Sequence, residues 1–369
     1  MALHPTRRSI LAGATLAGVL PVAPGLAQEV TGRAPVVGAG STFAYPVVSR
    51  WAKGYHRWVS GGGTIPIAGG GLDDPPSGAM LDYEPTGSLA GIMRVKERAV
   101  DFGASDMPLK PDELRKLGLV QFPLVIGGIV AVVNIDGVGP GQLRLTGQAL
   151  ADIYLGRIRN WSDPSLKALN PQIALPDARI VVVRRSDGSG TTFNFTDFLS
   201  KASPLWKAKV GADLLVTWPD GTTGAKGNDG VSRTVRQTRN SIGYVEFAHA
   251  QQNRLAYALI RNPAGNFVVP SPQAFQTAAG TADWKGAGDF ELLLTDMPGA
   301  DAYPMVATVF VLMNKGMSAQ RRTAALNFFD WSLTQGSSEA AALGYVPLPS
   351  SLVAAVKAYW ADTLVAPAR

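Results

Sequence analysis

The chain has 369 residues, 46% of them hydrophobic and 17% charged, with 41 Gly, 26 Pro and no Cys. It is too apolar for a disordered chain and long enough for two compact domains, and without Cys it has no disulfide framework, thiolate nucleophile or Cys-type zinc site. Lys and Arg outnumber Asp and Glu by 34 to 28, a mild excess with no basic run of the kind that tracks nucleic acid, and only His4, His56 and His249 could supply imidazole chemistry.

Thr6-Arg7-Arg8-Ser9 precedes an apolar stretch over residues 10–22 that is broken by glycines and Pro21. This reads as a twin-arginine export signal, with small Gly25 and Ala27 placed for cleavage before Gln28; a membrane anchor would need a longer unbroken run. Removing residues 1–27 leaves 342 residues and lowers the net charge from +6 to +4. The longest later apolar run, residues 125–133, is too short to span a bilayer, so the mature chain is expected outside the cytoplasmic membrane and soluble.

Beyond the signal, short Val/Ile-rich runs alternate with helical patterns, which predicts an α/β architecture. Val36-Val37 leads through the Gly38-Ala39-Gly40 turn into Phe43, Val47, Trp51 and Tyr55, apolar residues four apart that predict an amphipathic helix. Residues 60–78, with two Gly-Gly-Gly runs and Asp73-Asp74-Pro75-Pro76, read as an exposed insertion. The pattern then predicts strands at 80–84, 99–105, 125–134, 180–184, 242–244 and 305–313, and helices at 88–98, 191–199, 319–333 and 351–364.

One device recurs. Gly40-Ser41-Thr42-Phe43, Thr86-Gly87-Ser88-Leu89 and Asp187-Gly188-Ser189-Gly190-Thr191 each put a hydroxyl beside glycine where a strand gives way to a helix. Such a terminus offers free N–H groups, the positive end of the helix dipole and an O–H donor, a set suited to a tetrahedral oxyanion. Ordinary capping would explain any one of them; three, with Arg185 at the end of the Val181-Val182-Val183 strand, point to an anion site. Strand alternation puts Arg185 and Asp187 on one face, where the carboxylate can orient a guanidinium fork, although a surface ion pair has the same spacing. Asp106 falls at the end of another strand, and beyond a strand-end cap it has a chemical use. A carboxylate tolerates an oxyanion that brings a proton to share, as phosphate does at neutral pH, and repels sulfate, which brings none.

Gly38-Ala39-Gly40-Ser41-Thr42-Phe43, Val100-Asp101-Phe102-Gly103-Ala104-Ser105-Asp106, Gln121-Phe122-Pro123, the segment from Val183 to Thr191, Lys226-Gly227-Asn228-Asp229-Gly230, Ile242-Gly243-Tyr244-Val245-Glu246 and Asn327-Phe328-Phe329-Asp330-Trp331 together resemble the periplasmic phosphate-binding proteins of bacterial high-affinity phosphate ABC importers. The resemblance runs in order along nearly the whole mature chain. It implies the type II periplasmic binding protein fold, two α/β lobes joined by a two-segment hinge: residues 28–126 and 302–369 in lobe I, 127–301 in lobe II. It implies phosphate contacts from Thr42, Phe43, Ser88, Asp106, Arg185, Ser189, Gly190 and Thr191, with Asp187 holding Arg185. It also implies an inner-membrane phosphate permease as partner, a monomer, and no metal, cofactor or nucleic acid. Two departures stand out: the insertion at 60–78, and Leu89 where the family carries a small polar residue beside Ser88.

Other readings remain at this stage. Arsenate, sulfate or molybdate could be the anion, or the fold could serve a surface adhesin or signalling protein. An enzyme is disfavoured, because Ser189 lacks the Gly-x-Ser-x-Gly frame and residues 221–227 miss the P-loop spacing.

Overall fold

The computed structural model describes residues 35–63 and 81–365. The export signal and most of the insertion at 60–78 lie outside the described residues. No helix among the described residues is long and apolar enough to cross a membrane.

The fold is organised by eight strands: β1 (Val36–Gly40), β2 (Leu81–Glu84), β3 (Phe102–Ser105), β4 (Leu119–Asn134), β5 (Val181–Arg185), β6 (Thr223–Ala225), β7 (Ser241–Glu246) and β8 (Val306–Asn314). They lie in the order β2-β1-β3-β8-β4-β7-β5-β6, with Ala256–Tyr257 pairing on β4. Within each half the strands β2-β1-β3 and β7-β5-β6 are parallel. The two long strands run antiparallel between them: β8 pairs with β3 and with the first part of β4, and the rest of β4 pairs with β7. The two halves of the sheet, β2-β1-β3 and β7-β5-β6 with the helices that follow them, are the two α/β lobes of a type II periplasmic binding protein fold, and β4 pairs with strands of both.

The reach of β4 exceeds what its sequence suggests. The expected strand at 125–134 begins at Leu119, because Gln121 and Pro123, which look like breakers, are both accommodated. Gln121 is buried and exchanges hydrogen bonds with the Leu109 backbone, and Pro123 sits where the β4–β8 register shifts between Val309 and Phe310. Every residue of β4 up to Val133 is buried, which explains the near-continuous apolar run. The expected strand at 99–105 shortens to Phe102–Ser105, because Arg98 turns the chain with φ 59.

The helix predicted after β1 is α1 (Tyr45–Ser60), and Val47, Trp51 and Tyr55 line its buried face together with Phe43 just before it. It packs on α6 (Ala319–Thr334) through Tyr55 against Phe328, edge to face at 5.5 Å, while the Trp51 indole N–H reaches the Gly336 carbonyl at 2.7 Å. Four further helices are α2 (Ser88–Lys96), α3 (Gly190–Ala202), α4 (Gly227–Gln237) and α5 (Phe247–Gln252). Each starts within five residues of the C-terminal end of a parallel strand: β2, β5, β6 and β7 respectively. Both sets of parallel strands therefore aim their C-terminal edges and helix starts into one crevice, where ligands of open α/β sheets bind.

Candidate functional site

The residues marked by sequence converge on that crevice. Asp106 follows β3 and is 1% exposed. One of its carboxylate oxygens accepts a short hydrogen bond from the Ser41 hydroxyl and the other accepts from Thr191 Oγ1 at 3.2 Å, across the lobes. Its main-chain carbonyl accepts from Asn194 Nδ2 at 2.6 Å. Burial pushes the carboxyl up to about 6; the Ser41 hydrogen bond, the Arg185 charge and the Thr191 hydrogen bond pull it down and do not compensate. Both direct partners are neutral hydroxyls, and each oxygen keeps a lone pair for a further donor.

Arg185 ends β5 and is 2% exposed. Its Nε donates to Asp187 Oδ1 at 2.7 Å and its Nη2 to Asp187 Oδ2 at 2.5 Å, a bidentate pair that fixes the plane of the guanidinium. The Gly227 N–H braces Asp187 at 3.0 Å. Burial alone would raise the Asp187 carboxyl, but Arg185 and the backbone donors outweigh it and hold it below the usual carboxylate range. Nη1 of Arg185 is buried and finds no acceptor among the described residues. A cationic donor in that condition is costly unless an acceptor arrives from outside the chain.

Ser88 is the first residue of α2, after Gly87 with φ 100. Its hydroxyl accepts from the Gly190 N–H of the opposite lobe at 3.0 Å and from the Asp106 N–H at 3.3 Å. With both lone pairs used, its own proton is left as a donor. Leu89, the departure from the family pattern, packs against the other lobe rather than pointing at a ligand: its N–H donates to the Gly188 carbonyl at 3.2 Å. A Cβ on Gly188 would lie 2.4 Å from Leu89 Cβ, and one on Gly190 2.6 Å from Ser88 Oγ, so both glycines are set by the approach of the lobes.

Ser189 caps α3 by accepting from the Thr192 N–H at 3.1 Å, which leaves its O–H proton available. Thr42 Oγ1 likewise accepts twice, from the Asn228 N–H at 3.2 Å and Nδ2 at 2.9 Å. Two of the expected contacts are engaged within the chain: the Thr191 hydroxyl by Asp106, and the Phe43 N–H by Ser41 Oγ at 3.0 Å. The Phe43 ring belongs to the core, tilted against Tyr345 with ring centroids 6.2 Å apart.

The sequence reading passed over Ser41, Asn194, Asn228, Tyr244 and His249. Ser41 caps its turn through the N–H groups of Phe43 and Ala44 besides bonding Asp106. Tyr244 Oη accepts from the Arg185 N–H at 3.2 Å and lies 2.7 Å from Thr192 Oγ1. Ser41, Asn228 and Tyr244 all fall inside motifs that carried the resemblance, and that was the available signal.

A buried guanidinium, a buried carboxyl and a ring of hydroxyl and amide donors between two lobes define a substrate-binding protein for a small oxyanion. Comparison with known proteins agrees on the class: residues 26–335 match the PBP superfamily domain, and the chain belongs to that superfamily. Within it, the chain belongs to the family of the phosphate-binding proteins PstS. It is 46% identical over 335 residues to the "Phosphate-binding protein PstS" of Xylella fastidiosa (strain 9a5c), covering 90% of this chain and 87% of that one. It is 43% identical over 330 residues to the protein of the same name from Haemophilus influenzae, covering 89% and 93%. A phosphate-bound structure of a putative phosphate ABC transporter substrate-binding protein from Clostridium perfringens shares the fold, with a TM-score of 0.60, 19% identity and coverage of 86% of this chain and 100% of that one.

Proposed function

We propose that the chain is an exported receptor that binds inorganic phosphate between its lobes and delivers it to an inner-membrane phosphate ABC permease. The observation that carries this reading is the pairing, in one crevice, of a clamped Arg185 with an unpartnered buried Nη1 and a buried Asp106 whose carboxyl is bonded only to neutral hydroxyls. The guanidinium supplies charge-assisted donation to a phosphate oxygen, and Asp106 accepts the proton that hydrogen phosphate carries. Thr42, Ser88 and Ser189 donate from hydroxyls and Thr191 from its backbone N–H at the helix start, while the Phe43 and Gly190 amides, bonded to Ser41 and Ser88, reach the anion by sharing or exchanging those bonds.

In this reading residues 28–126 and 302–369 form the first lobe and 127–301 the second. The lobes close on the anion by a hinge motion, and the closed form docks on the permease. No bond is made or broken, so the protein acts as a carrier, as a monomer. The Arg7-Arg8 signal sends it to the periplasm by the twin-arginine route. The family of its relatives favours phosphate over sulfate or molybdate.

Isothermal titration of the mature, ligand-stripped protein with phosphate, sulfate and arsenate tests the proposal. Tight binding of phosphate with no comparable binding of sulfate is the expected result. Equal affinity for sulfate, or no heat with phosphate, would overturn it.

A further inference from the structure

The Thr42–Phe43 turn of the first lobe is gripped by residues of the second lobe that make none of the ligand contacts proposed above. Asn228, in the first turn of α4, gives both its N–H groups to Thr42 Oγ1, and its own Oδ1 accepts from the Glu246 N–H at 3.0 Å, which fixes the orientation of the amide. The Thr42 carbonyl, on the same turn, faces His249 Nε2 of α5 at 3.0 Å. The other ring nitrogen, Nδ1, faces Asp229 Oδ1 at 3.0 Å.

Both partners of the ring are acceptors, one a carbonyl and the other a carboxylate. A neutral imidazole has a single N–H and would set a lone pair against one of them, in a ring that is 2% exposed; the imidazolium satisfies both. The other ionisable groups around it fit a cation. Glu246 caps α5 through the N–H groups of Ala248 and His249 and accepts from Tyr345 Oη at 3.1 Å, but burial lifts its carboxyl to about 7, so the counter-charge that persists at acid pH is Asp229, held below the usual carboxylate range by His249 and Arg233 of α4. Burial opposes the charged ring, but the Asp229 hydrogen bond, the Glu246 and Asp229 charges and the Thr42 carbonyl outweigh it and raise its pKa above the ordinary histidine value.

We infer that His249 is a positioning residue for phosphate binding: as an imidazolium bridging Asp229 to the Thr42 carbonyl, it latches the second lobe onto the ligand turn of the first and favours the closed form. Asp229 and His249 lie on neighbouring helices of one lobe and stay together when the lobes part, whereas the Thr42 carbonyl leaves with the other lobe. The closed form therefore holds the ring proton more tightly than the open form. The latch is fully engaged below the ordinary histidine range and is released as pH rises through the raised value of the closed form.

This inference rests on the crevice being the phosphate site. Its test compares the phosphate affinity of wild type, His249→Gln and Asp229→Asn between about pH 5.5 and 8.5, with the ring nitrogens of His249 followed by NMR in free and phosphate-saturated protein. The ratio of variant to wild-type Kd cancels the titration of phosphate itself. For His249→Gln that ratio is expected to be about tenfold at the acid end, the worth of one charge-assisted hydrogen bond, and to shrink towards unity at the alkaline end. Phosphate should raise the His249 pKa in wild type, and Asp229→Asn, a change at a solvent-facing carboxylate, should move the midpoint to lower pH. A ratio that does not vary with pH, or a His249 pKa indifferent to phosphate, would overturn the latch and leave the phosphate site standing. Failure of the wild-type chain to bind phosphate would remove the site itself, and the latch with it.

Discussion

The two walls of the crevice are each built around an aspartate, and their environments oppose one another. On the second lobe Asp187 gives both oxygens to the Arg185 fork and is held below the usual carboxylate range. On the first lobe the Asp106 carboxylate has only hydroxyl partners, Ser41 and Thr191, and burial lifts it to about 6. The same side chain thus has two roles. Asp187 is committed to orienting a cation and has little basicity left for a ligand, whereas Asp106 keeps open lone pairs and an appetite for a proton. In the proposed site, attraction would come from the Arg185 wall and the choice among oxyanions from the Asp106 wall.

The largest break in this comparison is Arg185→Lys. The ammonium keeps the charge but cannot both grip Asp187 in a fork and present a second planar donor to the ligand. Losing about 3 kcal/mol of charge-assisted hydrogen bonding should weaken phosphate binding about a hundredfold, read by titration calorimetry, while sulfate and phosphate suffer alike. An unaltered affinity would place Arg185 outside the site.

Asp106→Asn attacks the other wall, and its effect should fall on discrimination. The amide offers a donor to an unprotonated oxyanion, so the preference for phosphate over sulfate should drop about thirtyfold, roughly the 2 kcal/mol cost of setting a buried acceptor against another. Acid should mimic the substitution in wild type. Because the carboxyl is raised to about 6, it is a carboxylate that repels sulfate above that pH and a neutral donor below it, so sulfate affinity should climb as pH falls through that value. The same shift makes Asp106 a contributor to stability in the opposite sense from Asp187: the folded chain binds the Asp106 proton more tightly than the unfolded chain, so that contribution declines as pH rises towards about 6. A selectivity that ignores both the substitution and the pH would remove Asp106 from the role of proton acceptor.

Sequence reading marked Thr42, Ser88 and Ser189, which the fold brings together, because they repeat a local device, glycine and a hydroxyl at a helix start, and that device is visible within five residues. It reached α1 because Val47, Trp51 and Tyr55 recur at helical spacing, and they are buried as that spacing requires. It fell short wherever the cause was distant. Gln121 belongs inside β4 because the Leu109 backbone and the Asp289 carbonyl satisfy its amide. Asn228 and His249 reach Thr42 across 186 and 207 residues of chain, and nothing near either residue announces that partner. Short helices such as α4 and α5 were also missed: α4 opens on Gly-Asn-Asp-Gly, which reads locally as a turn, and α5 is only six residues long.

Ser88 marks the seam between the two walls and should give the smallest and most diagnostic effect. Its hydroxyl accepts the Gly190 N–H from the second lobe and the Asp106 N–H from the first, so its proton is its only remaining contribution to a ligand. When the lobes part, water can solvate the Gly190 N–H, and removing the hydroxyl then costs the closed form more than the open one. Ser88→Ala should therefore weaken phosphate about fivefold, near the 1 kcal/mol of one neutral hydrogen bond. An O–H donor treats the unprotonated oxygens of phosphate and sulfate alike, so the ratio of the two affinities should not move. That is the contrast with Asp106→Asn: one change lowers affinity and spares selectivity, the other erodes selectivity. Titration of Ser88→Ala with both anions decides the matter, and a changed ratio would mean that discrimination is shared across the seam rather than vested in Asp106.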